Sequence, residues 1–328
     1  MEAPLVSIIV VLYNSGSYLE PCLEALASLE YRPIEFIFLD NGSSDDSVAV
    51  ARKTARRCGL PCLVSELGRN LGFAAANNRG IELSRGEIVL LLNPDTQVYP
   101  DTVTALVDAF LEDRTVGVAG CKIYYPDRVT LQHAGGFVRD NGLTMHHGAD
   151  ERDEGQWDRA ADVHYVTGAA MAALRPIFLR VGMFDQGYFP AYFEETDLCW
   201  CVRRVGYRVR YVPSARVVHL ESVTTGKFTE RYYYLYHRNR IRFLIKNFPR
   251  RFLIDRALPF EKKWRTMIDP EEQAGPLLKA EAANIRMLPR TLLARRRAER
   301  LLRVPYLEDT VSHFERSDPP GGEVPSTG

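Results

Sequence analysis

Three acidic side chains crowd into four positions at Glu194, Glu195 and Asp197, directly after the aromatic pair Tyr192-Phe193. Like charges at this spacing repel, so such a cluster is kept where it meets a cation or takes part in proton chemistry. The same acids would also suit the first turn of any solvated helix, where carboxylates complement the free N–H groups. Two other segments carry side chains able to accept a proton or bind a cation: Asn93-Pro94-Asp95, about a hundred residues earlier, and His219, shortly after. Their value depends on whether the fold brings them together.

The first third of the chain supplies elements that could do so. Residues 6–12 (Val-Ser-Ile-Ile-Val-Val-Leu) are apolar apart from Ser7 and suit a strand covered on both faces. Ser17 and Glu20 have capping-box spacing, followed by Leu19, Cys22, Leu23 and Leu26 at helical intervals. Residues 34–39 read as a second strand ending at Asp40-Asn41-Gly42-Ser43. Ser43 or Ser44 can cap the next helix, with Asp45 and Asp46 in its first turn. Residues 62–65 give a third strand, 72–84 a helix, and 88–92 a fourth strand that runs into Asn93-Pro94-Asp95. Strands alternating with helices predict a mixed, mainly parallel α/β sheet with helices on both faces. Ligands of such sheets bind beyond the carboxyl ends of the strands, where Tyr13-Asn14, Asp40-Asn41 and Asn93–Asp95 all fall.

The middle is less regular. Residues 124–160, with His133, His146 and His147, read as a long loop or hairpin region over the site, the His-His pair solvated. Residues 162–174 read as a strand with Thr167-Gly168-Ala169 inside it. A helix is expected from Thr196 to Val205, stopped by Gly206. Residues 217–220 place His219 near the end of another strand. Beyond Phe228 the chain turns aromatic, basic and helical. From Arg286 to Arg303 there are seven arginines and one acid, Glu299, among leucines. This suits an amphipathic helix on an anionic membrane surface, or equally one packed on the main domain with its arginines in water. From Ser317 the Pro-Gly-Ser composition predicts disorder.

Lys+Arg and Asp+Glu both number 42, which argues against a dedicated nucleic-acid binder. The start of the chain lacks the basic and cleavage regions of an export signal, and apolar runs fall short of the roughly 18 residues a membrane span needs. The six cysteines are therefore expected as free thiols in a reducing cytoplasm, with the protein cytoplasmic or peripheral on the inner membrane face. Cys58 and Cys62 have no second Cys/His pair at zinc-finger spacing. No G-x-G-x-x-G follows the first strand, against a nicotinamide dehydrogenase, and Tyr13-Asn14-Ser15 is not the Gly-rich basic loop of a nucleotidylyltransferase.

Taken in order, residues 6–14, 40–45, Asn70-Leu71-Gly72-Phe73-Ala74 with Asn77-Asn78, Leu92–Asp95, Gly182–Asp185, Phe193–Leu198 and Val218-His219 resemble a family 2 glycosyltransferase with the A-type nucleotide-sugar-binding fold. Asn93-Pro94-Asp95, in place of the commoner Asp-x-Asp, resembles the rhamnosyltransferase-like subset. Arg238-Asn239 and Lys246-Asn247 resemble the C-terminal extension of bacterial polysaccharide members. The resemblance implies inverting transfer of a sugar, with rhamnose the leading guess, from a dTDP- or UDP-linked donor to a saccharide or lipid-linked acceptor. It implies a divalent cofactor, Mn2+ or Mg2+, on Asp95 and His219, with Asn93 at the metal or donor ribose. Loss of one carboxylate from the usual pair weakens that metal expectation. The base would be the second acid of the pair, Glu195, with Glu194 the alternative because Asp is the usual residue. Asp197 would cap the helix or bind acceptor hydroxyls. Asp40, Tyr13, Asn14, Arg69, Asn70, Gly72 and Asn77 would line the donor pocket. The expected organisation is a catalytic domain over 1–227 (donor half to about 123, acceptor half from 124), a helical extension over 228–316 and a tail from 317. An oligomer is compatible with this reading. The alternative is a non-catalytic nucleotide-sugar-binding or scaffold protein of the same fold.

Overall fold

The computed structural model describes residues 3–220 and 229–302; the expected domain junction at 227/228 and the tail from 317 lie outside them. In β1 (Val6–Leu12) side chains alternate between two buried layers. Ile8, Val10 and Leu12 face one cluster and Ile9 the other, as the two-residue period of a strand requires. β2 (Ile34–Asp40) and β3 (Cys62–Glu66) follow in parallel register on one side of β1, and β4 (Ile88–Leu92) on the other. Helices α1 (Leu19–Ala27) and α2 (Ser47–Arg57) cover one face, and α3 (Phe73–Leu83) the other.

After the short β5 (Thr96–Val98) and α4 (Thr102–Glu112), the sheet continues with β6 (Val116–Tyr124), β7 (Leu131–His133) and the separate hairpin of β8 (Gly136–Val138) and β9 (Thr144–His146). Then come β10 (Ala161–Asp162), β11 (Ala170–Leu174), α5 (Arg175–Val181), α6 (Glu194–Arg204) and β12 (Arg208–His219). The strand order is β10-β12-β6-β11-β4-β1-β2-β3. β11 lies antiparallel between β4 and β6. The expected division at 123/124 therefore does not break the sheet: both halves are woven into it.

Some local expectations needed correction. The Ser17/Glu20 box is not formed, because α1 begins at Leu19 without a side-chain cap. Neither Ser43 nor Ser44 caps α2, which starts at Ser47; the Asp45 carboxylate accepts the Ser47 N–H and the Gly16 N–H instead. The expected strand over 162–174 is kept only at its ends, Asp162 in β10 and Ala170–Leu174 in β11, and Thr167, Gly168 and Ala169 between them line a cleft. Gly206, at φ 90, does end the α6 region in the left-handed conformation that glycine adopts without strain.

The extension is not a separate body. α7 (Glu230–Asn247) and the C-terminal helix Gly275–Leu302 pack along each other and onto α6. Phe243 of α7 and the following Phe248 join Phe193 and Trp200 in one aromatic cluster. Beside it lies a buried ionic knot. Lys246 Nζ donates to Asp185 Oδ2 at 2.8 Å and to Asp197 Oδ2 at 2.6 Å. Arg242 also reaches Asp185, and the Tyr188 hydroxyl and Asn247 amide donate to Asp197 Oδ1. Burial alone would raise Asp185, but the Lys246 and Arg242 charges outweigh it and hold the carboxyl well below its ordinary range.

Removing one member of such a knot strands the others. Lys246→Met should lower unfolding free energy by about 3–5 kcal/mol in denaturant titration. Asp185 is depressed in the folded state, so its contribution is present above the ordinary carboxylate range and fades as pH falls toward the depressed value. The variant should accordingly lose less of its remaining stability on acidification than the native chain.

Candidate active site

A cleft of about 760 Å³ opens at the carboxyl ends of β1 and β4. From the sequence-derived set it is lined by Tyr13, Asn14, Asn70, Gly72, Asn77, Asn93, Asp95, Glu194, Glu195 and His219. Asp40, Arg69 and Asp197 are not among the lining residues. Each absence has a local cause or context. The Asp40 carboxylate turns back to accept the N–H groups of Gly42 and Ser43, and so builds the turn after β2. Arg69 is exposed beside that turn. Asp197 is 2% exposed and fully engaged in the ionic knot. It neither caps α6 nor is available to an acceptor; the acidic triplet divides into one structural and two cleft-facing carboxyls.

The turn after β1 is pinned to the turn after β2. Asn14, at φ 49, accepts the Ser44 N–H on Oδ1, and its own N–H donates to Ser43 Oγ. Asn41 and Asn70 form a similar brace: Asn41 Oδ1 accepts the Leu71 N–H, and Asn70 Oδ1 accepts the Gly72 N–H. Gly72 is required by packing as well as by its φ of 80, since a Cβ there would lie 2.7 Å from Phe189 Cδ2.

At the end of β12, His219 Nδ1 lies 2.7 Å from Gln132 Oε1. That oxygen can only accept, so Nδ1 carries the proton and Nε2 is the nitrogen facing the cleft. Nε2 lies 3.2 Å from Asp95 Oδ1 and 3.4 Å from Asn93 Nδ2. Asp95 Oδ1 is buried and has no hydrogen-bond donor. An imidazole lone pair and a buried carboxylate oxygen at this distance require either a second ring proton or a cation between them. One imidazole nitrogen and one carboxylate oxygen are donors that a divalent ion such as Mn2+ would accept. Among the described residues no group of three His, Cys, Asp or Glu side chains could hold a metal alone.

Glu194 and Glu195 open α6, and the chain enters that helix through two consecutive left-handed residues, Tyr192 at φ 82 and Phe193 at φ 75. For bulky residues this costs on the order of 1–3 kcal/mol each. Asn239 of α7 holds the segment in place. It is wholly buried, and its Nδ2 donates to the carbonyls of Tyr188, Ala191 and Tyr192 at 2.8, 2.9 and 2.9 Å. Glu194 is 3% exposed, with one oxygen unpartnered. Burial, and then the adjacent Glu195 charge, push its carboxyl well above the usual range. Glu195 keeps partial access to the cleft; burial raises it to about 7 against the opposing pull of the Glu195 and Thr196 N–H groups.

The opposite wall comes from residues that the sequence motifs did not single out: Thr144, His146, Tyr165, Arg231, Tyr232 and Tyr236. The His-His pair divides, His146 facing the cleft while His147 packs between Phe137 and Trp157. The sequence signals for this wall were the reading of 124–160 as a region over the site, which covers Thr144 and His146, and the aromatic character of the chain beyond Phe228.

An α/β sheet with a polar cleft beyond the carboxyl ends of its parallel strands places the protein among folds that bind ligands at that position. Comparison with known proteins makes the assignment. The model of "Glycosyl transferase family 2" matches residues 7–178, and the chain belongs to that family. It is 30% identical over 72% of its length to the N-acetylglucosaminyl-diphospho-decaprenol L-rhamnosyltransferase of Mycobacterium tuberculosis, spanning 83% of that protein. It is 32% identical to an uncharacterized protein of Sinorhizobium fredii, of whose length it spans 25%. The fold is similar to GalNAc-T7 with UDP, GalNAc and Mn2+ (TM-score 0.63, 16% identity, 85% of this chain and 55% of that one). It is also similar to the Pyrobaculum calidifontis mannosyltransferase PcManGT with GDP-Man and Mn2+ (TM-score 0.54, 19% identity, 96% and 79%). The chain is a family 2 glycosyltransferase with the A-type fold of those two structures. Among the described residues no helix is long and apolar enough to cross a membrane.

If Asn239 acts by holding the entry to α6, Asn239→Leu should leave nucleotide-induced thermal stabilisation intact. Sugar transfer should fall by about a hundredfold, the scale expected when reacting groups are displaced by an ångström.

Proposed function

We propose that the protein is an inverting glycosyltransferase that moves a deoxyhexose, with L-rhamnose the leading candidate, from a dTDP- or UDP-linked donor to a hydroxyl of a lipid-linked saccharide. The observation that carries the mechanism is the position of Glu195: it opens α6 and lines the same cleft as Asp95 and His219, with its carboxyl raised to about 7. A carboxylate in that range is a stronger proton acceptor than an ordinary one and is still substantially ionised near neutrality.

The donor would lie along the carboxyl ends of β1 and β4, between the Tyr13-Asn14 turn and Asn93. Asp95 and His219 are the residues that would hold Mn2+ or Mg2+, and such an ion would supply charge neutralisation for the leaving group. The acceptor would enter along the Tyr232/Tyr236 wall. Its hydroxyl oxygen attacks the anomeric carbon from the face opposite the diphosphate while its proton passes to Glu195. The anomeric C–O bond breaks, and its electron pair leaves with the nucleoside diphosphate. Burial and the adjacent charge push the Glu194 carboxyl well up, so Glu195, which keeps access to the cleft, is the carboxylate better placed to take that proton. The rhamnose and lipid-linked acceptor assignments draw on the mycobacterial relative's name; the metal draws on the unsatisfied Asp95 oxygen and on the Mn2+ named with two structural neighbours.

The decisive measurement is nucleotide release with and without acceptor. Glu195→Gln should bind donor normally but transfer at least about a hundredfold more slowly. A native protein that binds donor yet transfers to no acceptor pool would make it a binding protein instead. Since the base must be ionised, native transfer should rise with pH through about 7, and Glu195→Asp, a more acidic base, should shift that rise to lower pH. Asp95→Asn should abolish any stimulation of transfer by Mn2+ after chelation; equal stimulation in the variant would remove Asp95 from the metal site.

A further inference from the structure

On the C-terminal helix Gly275–Leu302, Leu278, Ile285, Leu288, Leu292, Leu293 and Leu301 are each 39% to 74% exposed. Leu278, Ile285, Leu288 and Leu292 succeed one another at intervals of seven, three and four, so they form one stripe along the helix. Arg286, Arg290 and Arg297 repeat at four and seven, one residue further on, which places them about 100° around the same helix. They are exposed, as are Arg296 and Arg300, and none of these five has a carboxylate partner among the described residues. Arg295, by contrast, pairs with Glu299.

The other flank of the stripe opens into a groove of about 370 Å³ between the C-terminal helix, α7 and the helical segment 250–265. Its walls are formed mainly by Leu244, Ile245, Leu253, Leu258, Ile285 and Leu288. Two of its charged members, Arg240 and Glu261, neutralise each other in a bidentate pair at 2.7 and 2.9 Å. Across this surface the order is therefore oily groove, apolar stripe, unpaired arginines.

We propose that this surface docks the protein on an anionic lipid bilayer. An acyl chain enters the groove, the leucine stripe sinks into the headgroup boundary, and the arginines meet lipid phosphates. A large exposed apolar surface calls for a partner, and the adjoining row of uncompensated positive charge selects one that is both oily and anionic. α7 ties this surface to the cleft: Arg231, Tyr232, Leu235 and Tyr236 line the cleft, while Ile241 and Leu244 line the groove. At 1.5 Å per residue, residues 231 and 244 lie roughly 20 Å apart along the helix, so docking brings the cleft near the lipid surface. The inference depends on exposure and charge, and it stands or falls separately from the transfer reaction.

The test is vesicle cosedimentation of the full chain, with nucleotide-induced thermal stabilisation as a folding control. The native protein should partition onto phosphatidylcholine vesicles containing phosphatidylglycerol, less so as salt is raised, and not onto phosphatidylcholine alone. Ile285→Glu with Leu292→Glu, and separately Arg286→Glu with Arg290→Glu and Arg297→Glu, should each weaken partitioning by at least about tenfold while retaining native thermal stability. A native protein that stays in the supernatant with anionic vesicles overturns the proposal, as do folded variants that partition like the native chain. If the leucine variants instead dissociate a dimer in sedimentation velocity and the native protein ignores vesicles, the surface joins two copies of this chain.

Discussion

The bond between Lys246 and the carboxylates of Asp185 and Asp197 constrains the rest of the active-site half. Burying an ammonium and two carboxylates is costly, and the mutual attraction offsets that cost only with good geometry and saturated hydrogen bonding. Here the geometry is close: Lys246 reaches each carboxylate within 2.8 Å, Arg242 shares Asp185 Oδ2 with it, and Tyr188 and Asn247 both donate to Asp197 Oδ1. The knot joins three separate stretches of chain: the turn at Asp185–Tyr188, the first turn of α6 and the end of α7. A purely apolar contact would hold these stretches together but would tolerate sliding. Directional charge pairs fix the register of α6 against α7, and that register decides where Glu194 and Glu195 sit.

The strained entry to α6 follows from the same constraint. Tyr192 and Phe193 must reverse the chain in left-handed conformations so that α6 can begin at the cleft with its acids facing inward. Nothing in their own chemistry favours this. The strain is offset by the three carbonyl contacts of Asn239 and by the packing of Phe193 on Tyr236 and Phe243. Every one of those partners lies in α7. The extension is thus part of the device that positions the acidic pair, and the burial that raises Glu195 is partly burial beneath α7.

Much of the nucleotide half was legible because its signals are local. Five or more apolar residues in succession, ended by Asn, Asp or Gly, mark strands of a parallel sheet, and the rule that ligands gather beyond their carboxyl ends placed Tyr13, Asn14, Asn93 and Asp95 in one cleft. What failed was non-local. Asp197 has the same chemistry as its neighbours, and only Lys246, 49 residues away, makes it structural. Asp40 belongs to the expected loop, but its carboxylate is taken up by its own turn. Ser17 and Glu20 have the spacing of a cap but not the backbone: α1 begins at Leu19, so the serine lies too early to serve it. The strand expected over 162–174 was judged by its apolar content, which could not reveal that Thr167–Ala169 would be drawn out of the ladder to line the cleft.

The two faces of α7 give the extension a coherent physical role. Its inner face completes the aromatic core and the ionic knot, its first turns wall the cleft, and its last turns wall the apolar groove. The second half of the helix is fixed by buried charge pairs at Arg240, Arg242 and Lys246, which cannot shift without separating a carboxylate from its cation. Whatever binds the groove side therefore meets a surface already set by the core, and its position relative to the cleft is determined in advance. For an acceptor whose hydroxyl is tethered to a lipid, such a rigid spacer turns a search through solution into a search along a surface, with Glu195 held at a fixed height above it. On this account the Asn239 clamp and the raised carboxyl are consequences of how α7 is anchored, and the leucine stripe is carried by the helix packed along it.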